Sequence, residues 1–204
     1  CKYIILLTIV LCASAQAEWL KVDISTTSQA KGEAPGWTQW LMPIDSGSTQ
    51  TKTIGALTFT INMTAPPYEP GVKYLRCQYA NKQGQIDQGN FPLSYDGIWP
   101  NWESPGGRMP FPNGGSMTLT INGLSEGPHS IVTYHNNMYP ASSTWTVNGT
   151  TYTNATSDCV VTVDGVHATT ITPTVDNRND ATCGYAFFTV NAVAGTPVVI
   201  SFTP

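Results

Sequence analysis

Trp99 and Trp102 flank a proline and an amide in the run Tyr95-Asp96-Gly97-Ile98-Trp99-Pro100-Asn101-Trp102-Glu103, and Arg108 follows close behind. Indole and phenol rings stack on the apolar C–H faces of sugar rings, while amide, carboxylate and guanidinium groups hydrogen-bond the hydroxyl rim. A second group of the same character, Tyr134-His135-Asn136-Asn137-Met138-Tyr139, stands where an apolar strand is expected to run out into a loop. The candidate glycan-binding residues are therefore Trp99 and Trp102 as stacking platforms, Asp96, Arg108, His135 and Asn136 as hydroxyl partners, and Tyr134 beside them. If both loops leave the same end of the fold, they form one cleft.

Reactive chemistry has less to work with. Asp96 and Glu103 are the carboxylates of the aromatic segment, and two carboxylates flanking a sugar bond are what glycoside hydrolysis needs. Their spacing along the chain does not bring them face to face, and an Asp before Gly97 is an ordinary turn residue. Nucleophile-elbow, zinc and phosphate-loop patterns are missing, so no catalytic residue is assigned. The acidic and amide run Asp176-Asn177-Arg178-Asn179-Asp180 offers oxygen ligands for a structural calcium but matches no complete calcium loop. A polar turn is preferred there, and no cofactor is expected. His129 and His167 sit beside turns and read as solvated or capped, and Trp19, Trp37 and Trp145 read as packing residues that plug an end of the sandwich.

The elements that must hold these groups are strands. Leu57, Phe59 and Ile61 alternate with Thr58 and Thr60, and Met117, Leu119 and Ile121 alternate with Thr118 and Thr120, a period of two with one apolar face. Further strands are expected near Leu20–Ile24, Val72–Tyr79, His129–His135, Cys159–Val163, Tyr185–Val190 and Val198–Phe202. Asn122-Gly123 and Asp164-Gly165 supply turn chemistry between them. No window carries helical periodicity uninterrupted by Gly or Pro. The expected fold is all-β, an antiparallel two-sheet β-sandwich of the jelly-roll kind with long aromatic loops, the longest spanning residues 83–115.

Residues 1–17 read as an export signal, with Lys2, an apolar run from Ile4 to Leu11, and Ala15-Gln16-Ala17 as the small-residue cleavage motif. The run is shorter than the about twenty apolar residues a membrane-spanning helix needs. Residues 18–204 then form a single domain that is secreted, with no membrane partner. The formal net charge of −4 comes with Lys and Arg scattered singly, so no basic face exists for a nucleic acid. In an oxidising compartment Cys159 is expected to pair with Cys183, a link worth about 3 kcal/mol in the chain-entropy picture. Cys77, alternating with Leu75 and Tyr79, is left as a buried thiol.

The run Ser116-Met117-Thr118-Leu119-Thr120-Ile121-Asn122-Gly123-Leu124-Ser125-Glu126-Gly127-Pro128-His129-Ser130-Ile131-Val132-Thr133-Tyr134-His135-Asn136 resembles a pattern in galactose-binding-like and malectin-like β-sandwich modules. In these, a strand ends in a Gly-Leu turn, and Gly-x-His or Gly-x-Tyr then leads into an apolar strand with an aromatic near its end. The resemblance covers residues 116–204 and implies an extracellular carbohydrate-binding module of the kind appended to polysaccharide lyases and glycoside hydrolases. The function expected is non-catalytic binding of a polysaccharide or other glycan. Two alternatives stay open: a polysaccharide lyase or glycoside hydrolase, or its amino-terminal fragment, and a structural or adhesive extracellular protein.

Overall fold

The computed structural model describes residues 7–11, 18–26, 36–42, 49–64, 72–79, 96–104, 107–110, 116–137, 144–147, 150–153, 158–172, 174–175 and 184–203. In chain order the strands begin with β1 (Leu7–Leu11), β2 (Glu18–Thr26), β3 (Thr38–Met42), β4 (Thr49–Ile54), β5 (Leu57–Thr64) and β6 (Val72–Tyr79). They continue with β7 (Asp96–Ser104), β8 (Gly107–Pro110), β9 (Ser116–Asn122), β10 (Gly127–Asn137), β11 (Thr144–Val147) and β12 (Thr150–Thr153). The last are β13 (Cys159–Val163), β14 (Val166–Ile171), β15 (Thr174–Val175), β16 (Gly184–Ala192) and β17 (Val198–Thr203). The described residues hold no helix, as the periodicity requires.

Two six-stranded sheets dominate. The first runs β15-β10-β1-β2-β3, with β16 also paired to β10; the second runs β14-β13-β17-β9-β5-β4. Pairing is antiparallel except for β2 with β3 and β10 with β15, which are parallel. A three-stranded sheet, β6-β7-β8, approaches β2, and β11 and β12 form a separate hairpin.

Period-two alternation decides which way each strand faces. Along β9, Met117, Leu119 and Ile121 are buried while Thr118 and Thr120 are only partly covered, and β17 repeats the pattern with Val198, Ile200 and Phe202. Their inward side chains join Phe59, Ile61 and Val161 in one hydrophobic cluster with Val22, Ile24, Trp40, Met42, Ile131, Phe188 and Val190 of the first sheet. Trp40 on β3 meets Phe59 on β5 at 6.4 Å between ring centroids, so rings from both sheets interlock.

Two turns fix the register. Between β13 and β14, Asp164 and Gly165 have φ of 48° and 81°, the doubly left-handed pair that a tight hairpin of matching twist demands. Asp164 Oδ1 also accepts from the Val199 amide at 2.8 Å, which ties the hairpin to β17. Gly123 has φ 90°, and a Cβ at that position would collide with the carbonyl oxygen of Ala56, so no other residue fits.

One expectation needs correction. The segment 83–115 is not one long loop, because Asp96–Ser104 and Gly107–Pro110 are strands. Ile98, Trp99 and Trp102 are strand-forming types, but they do not alternate at period two and Pro100 stands among them. That proline stands opposite Leu75 of β6, just outside the stretch Asn101–Ser104 where β7 also pairs β8. A residue without an amide donor is tolerated at such a one-sided position.

Candidate functional site

On β2, inward Val22 and Ile24 leave Trp19 and Lys21 on the opposite face, exposed. On β10, inward Ile131, Thr133 and His135 leave Val132 and Tyr134 facing outward, half-buried. Trp37, just before β3, comes to the same face. These five residues line an open groove of about 400 Å³ on the outside of the first sheet.

Its geometry suits a planar, partly apolar ligand. Trp37 and Tyr134 pack edge to face, with centroids 6.4 Å apart and planes 67° apart, so each ring holds the other's orientation. The Lys21 ammonium sits 5.8 Å from the Trp37 ring centroid, a cation over a π face. Trp19 keeps 42 % of its surface exposed. The aromatic surface continues across β16, where Tyr185 is in register with Tyr134 and Phe187 with Val132. Those two rings are 64 % and 56 % exposed, more apolar area than a purely solvated face needs to leave open.

Beside the groove, on the face of β2 that carries Trp19 and Lys21, lies a polar contact. Asp23 is buried and accepts a 2.7 Å hydrogen bond from Gln39 Nε2, its register partner on β3. That bond adds a side-chain link to the parallel β2–β3 pairing.

The expected site residues are dispersed. Tyr134 lines the groove. His135, one residue on, points the other way because alternate strand residues face opposite sides, and it is fully buried. Its Nε2 lies 2.8 Å from Thr133 Oγ1 and its ring 5.5 Å from that of Phe202. Burial lowers its pKa from the ordinary 6.5 to about 3, so the ring is neutral at physiological pH and serves the core, not a glycan's hydroxyl rim. Asn136 continues β10, in register with Thr174 of β15, and its side chain lies outside the described residues.

Asp96, Trp99, Trp102 and Arg108 occupy strands β7 and β8, with Glu103 and Arg108 in register; their side chains also lie outside the described residues. Cys159 is buried in the core cluster, whereas Cys183, its expected disulfide partner, and the 176–180 run fall outside the described residues. Among the described residues no group of three or more His, Cys, Asp or Glu is placed to hold a metal ion. His129 is buried rather than solvated, with Nε2 2.8 Å from the carbonyl oxygen of Ser125, which caps the turn before β10.

Trp19 and Trp37, read from sequence as packing residues at an end of the sandwich, line the groove, with Trp19 exposed and Trp37 half-buried. The signal was available for Trp19. In Trp19-Leu20-Lys21-Val22, period two places the indole on the same face as Lys21, and a lysine on a strand marks the solvent side. Trp37 carried no such signal, because it precedes its strand.

Compared with protein-family profiles, curated proteins and solved structures, the chain matches none.

Proposed function

We propose that the chain is a secreted, non-catalytic carbohydrate-binding module, and that the groove of Trp19, Lys21, Trp37, Val132 and Tyr134 is its glycan site. The observation that carries this reading is the convergence of three aromatic rings, from β2, from the residue before β3 and from β10, on one open surface groove. Their faces suit the apolar sides of pyranose rings, and the tyrosine hydroxyl, indole N–H and lysine ammonium suit the hydroxyl rim. Exposed Tyr185 and Phe187 extend the platform, which favours a polymer over a single sugar. We further read the two six-stranded sheets, whose inward residues share one core cluster, as the halves of a β-sandwich of jelly-roll type.

Among the groove's described lining residues the ionisable side chains are Lys21 and Tyr134, and the paired carboxylates that glycosidic cleavage uses are not among them. Isothermal titration of the protein against a panel of plant, algal and host polysaccharides, with reducing-sugar and unsaturated-product assays on the same samples, tests the reading. Saturable heat without product is expected for at least one polymer. Product formation would replace the binding module with an enzyme, and silence across the panel would remove the glycan reading.

A further inference from the structure

The apolar run of the leader-like segment does not stand apart from the fold. Leu7–Leu11 form β1, a strand in the interior of the first sheet. It pairs with β2 from Leu7↔Val22 to Leu11↔Glu18 and with β10 from Leu7↔Thr133 to Ile9↔Ile131. Register separates its positions into two sets. Leu7 and Ile9 stand opposite Val22, Thr133, Leu20 and Ile131, residues that are buried or partly buried. Thr8 stands in register between Lys21 and Val132, two of the residues that line the groove.

We propose that the space between β2 and β10 is a strand-acceptor slot. In the uncut chain its own β1 fills it. Once residues 1–17 are removed, it accepts an extended segment from another polypeptide, with aliphatic side chains at alternate positions and a small polar residue between them. The proposal rests on the reading of residues 1–17 as a cleaved leader.

Three physical points carry it. First, β1 is antiparallel to both neighbours, so β2 and β10 run parallel to each other, and each directs a row of amide and carbonyl groups into the slot. Leaving both rows without partners exposes two edges of the kind that recruit foreign strands. Second, simple closure would move one half of the sheet by a strand spacing of about 4.8 Å. The halves are anchored, β2 by Val22 and Ile24 in the core and by Asp23–Gln39, and β10 by its long pairing with β16. Third, the sequence and register of the seated segment indicate the chemistry that fits, since aliphatic Leu7 and Ile9 pair with positions that are buried or partly buried on β2 and β10, and Thr8 pairs with Lys21 and Val132.

The test uses the full chain with a specific protease site placed between Leu11 and Glu18. After scission the protein is diluted, separated from released fragment, and offered a fluorescent peptide of residues 5–11 flanked by lysines, or the same peptide with Ile9→Asp. The expected result is saturable binding of one native-sequence peptide per chain with a higher thermal unfolding midpoint, and at least tenfold weaker binding of the Ile9→Asp peptide. If the cut protein precipitates, native peptide added before dilution is expected to keep it soluble. Loss of the fragment with an unchanged midpoint and no peptide binding would overturn the proposal, because β2 and β10 would then pair directly. Precipitation unaffected by peptide, or equal binding of both peptides, would also overturn it. Whether cells remove residues 1–17 is read separately, from the intact mass of the exported protein, so failure of the leader reading is distinguishable from failure of the slot.

Discussion

The outer faces of the two six-stranded sheets are built by the same alternation and end up with opposite chemistry. On the second sheet, register aligns Thr49, Asn62 and Thr118, then Thr51, Thr60 and Thr120, then Thr53, Thr58 and Asn122 into rows across β4, β5 and β9. The hydroxyls satisfy one another: Thr51 and Thr60 oxygens are 3.1 Å apart, Thr53 and Thr58 are 3.0 Å apart, and the Thr49 hydroxyl donates to Asn62 Oδ1. On the first sheet the equivalent positions carry Trp19, Lys21, Val132, Tyr134, Tyr185 and Phe187. A β-branched hydroxyl face stabilises a strand and stays hydrated. The first sheet instead leaves large rings open to solvent, the contrast on which the proposed ligand site rests.

Four substitutions probe that contrast, beginning with the largest effect. Phe59→Ala removes a fully buried ring that touches Trp40 across the two sheets, and it should cost about 3–5 kcal/mol in denaturant unfolding. Both faces rest on this core, so both should be lost together; survival of the groove in a protein whose second sheet has melted would separate them. Trp37→Ala should weaken glycan binding at least tenfold, about 1.4 kcal/mol by titration calorimetry. Its stability should fall by only about 0.5–1.5 kcal/mol, from the lost ring contact with Tyr134.

The third concerns His135 beneath the groove. Its ring stays neutral in the folded chain down to a pKa of about 3 but takes a proton near pH 6.5 when unfolded. The unfolded state therefore binds more protons below pH 6.5. Stability is full above that pH and falls toward pH 3 by up to about 1.4 kcal/mol per pH unit. His135→Phe keeps a ring against Phe202 and should flatten this part of the pH profile; an unchanged slope would refute the assignment. The smallest effect is Thr60→Ala, which removes one hydroxyl partner on the second sheet and should cost about 0.2–1 kcal/mol while leaving glycan affinity unchanged.

Much of the architecture was legible because period two is a strong signal. Met117–Ile121, Leu57–Ile61 and the turns at Asn122-Gly123 and Asp164-Gly165 fell where alternation and left-handed φ required them. Strands β7 and β8 were missed where proline breaks the pattern. The parallel β2–β3 pairing was missed because pairing partners far apart in sequence leave no local mark. For the proposed site, the sequence pointed to aromatic rings but largely to other residues. Tyr134, singled out at a strand end, lines the groove, whereas neighbouring His135 is buried because adjacent strand residues face opposite ways. Trp19 and Trp37 were read as packing residues, although Lys21 marked the Trp19 face as solvent-facing.

The most direct test is to map by NMR the residues perturbed by an oligosaccharide of the polymer that binds. The indole N–H signals of Trp19 and Trp37 and the amides of β2 and β10 should shift together with one affinity, while β5 and β9 amides around Thr60 and Thr120 stay in place. Shifts confined to Trp99 and Trp102 on β7, or to the threonine face, would contradict the assignment of the groove as the glycan site.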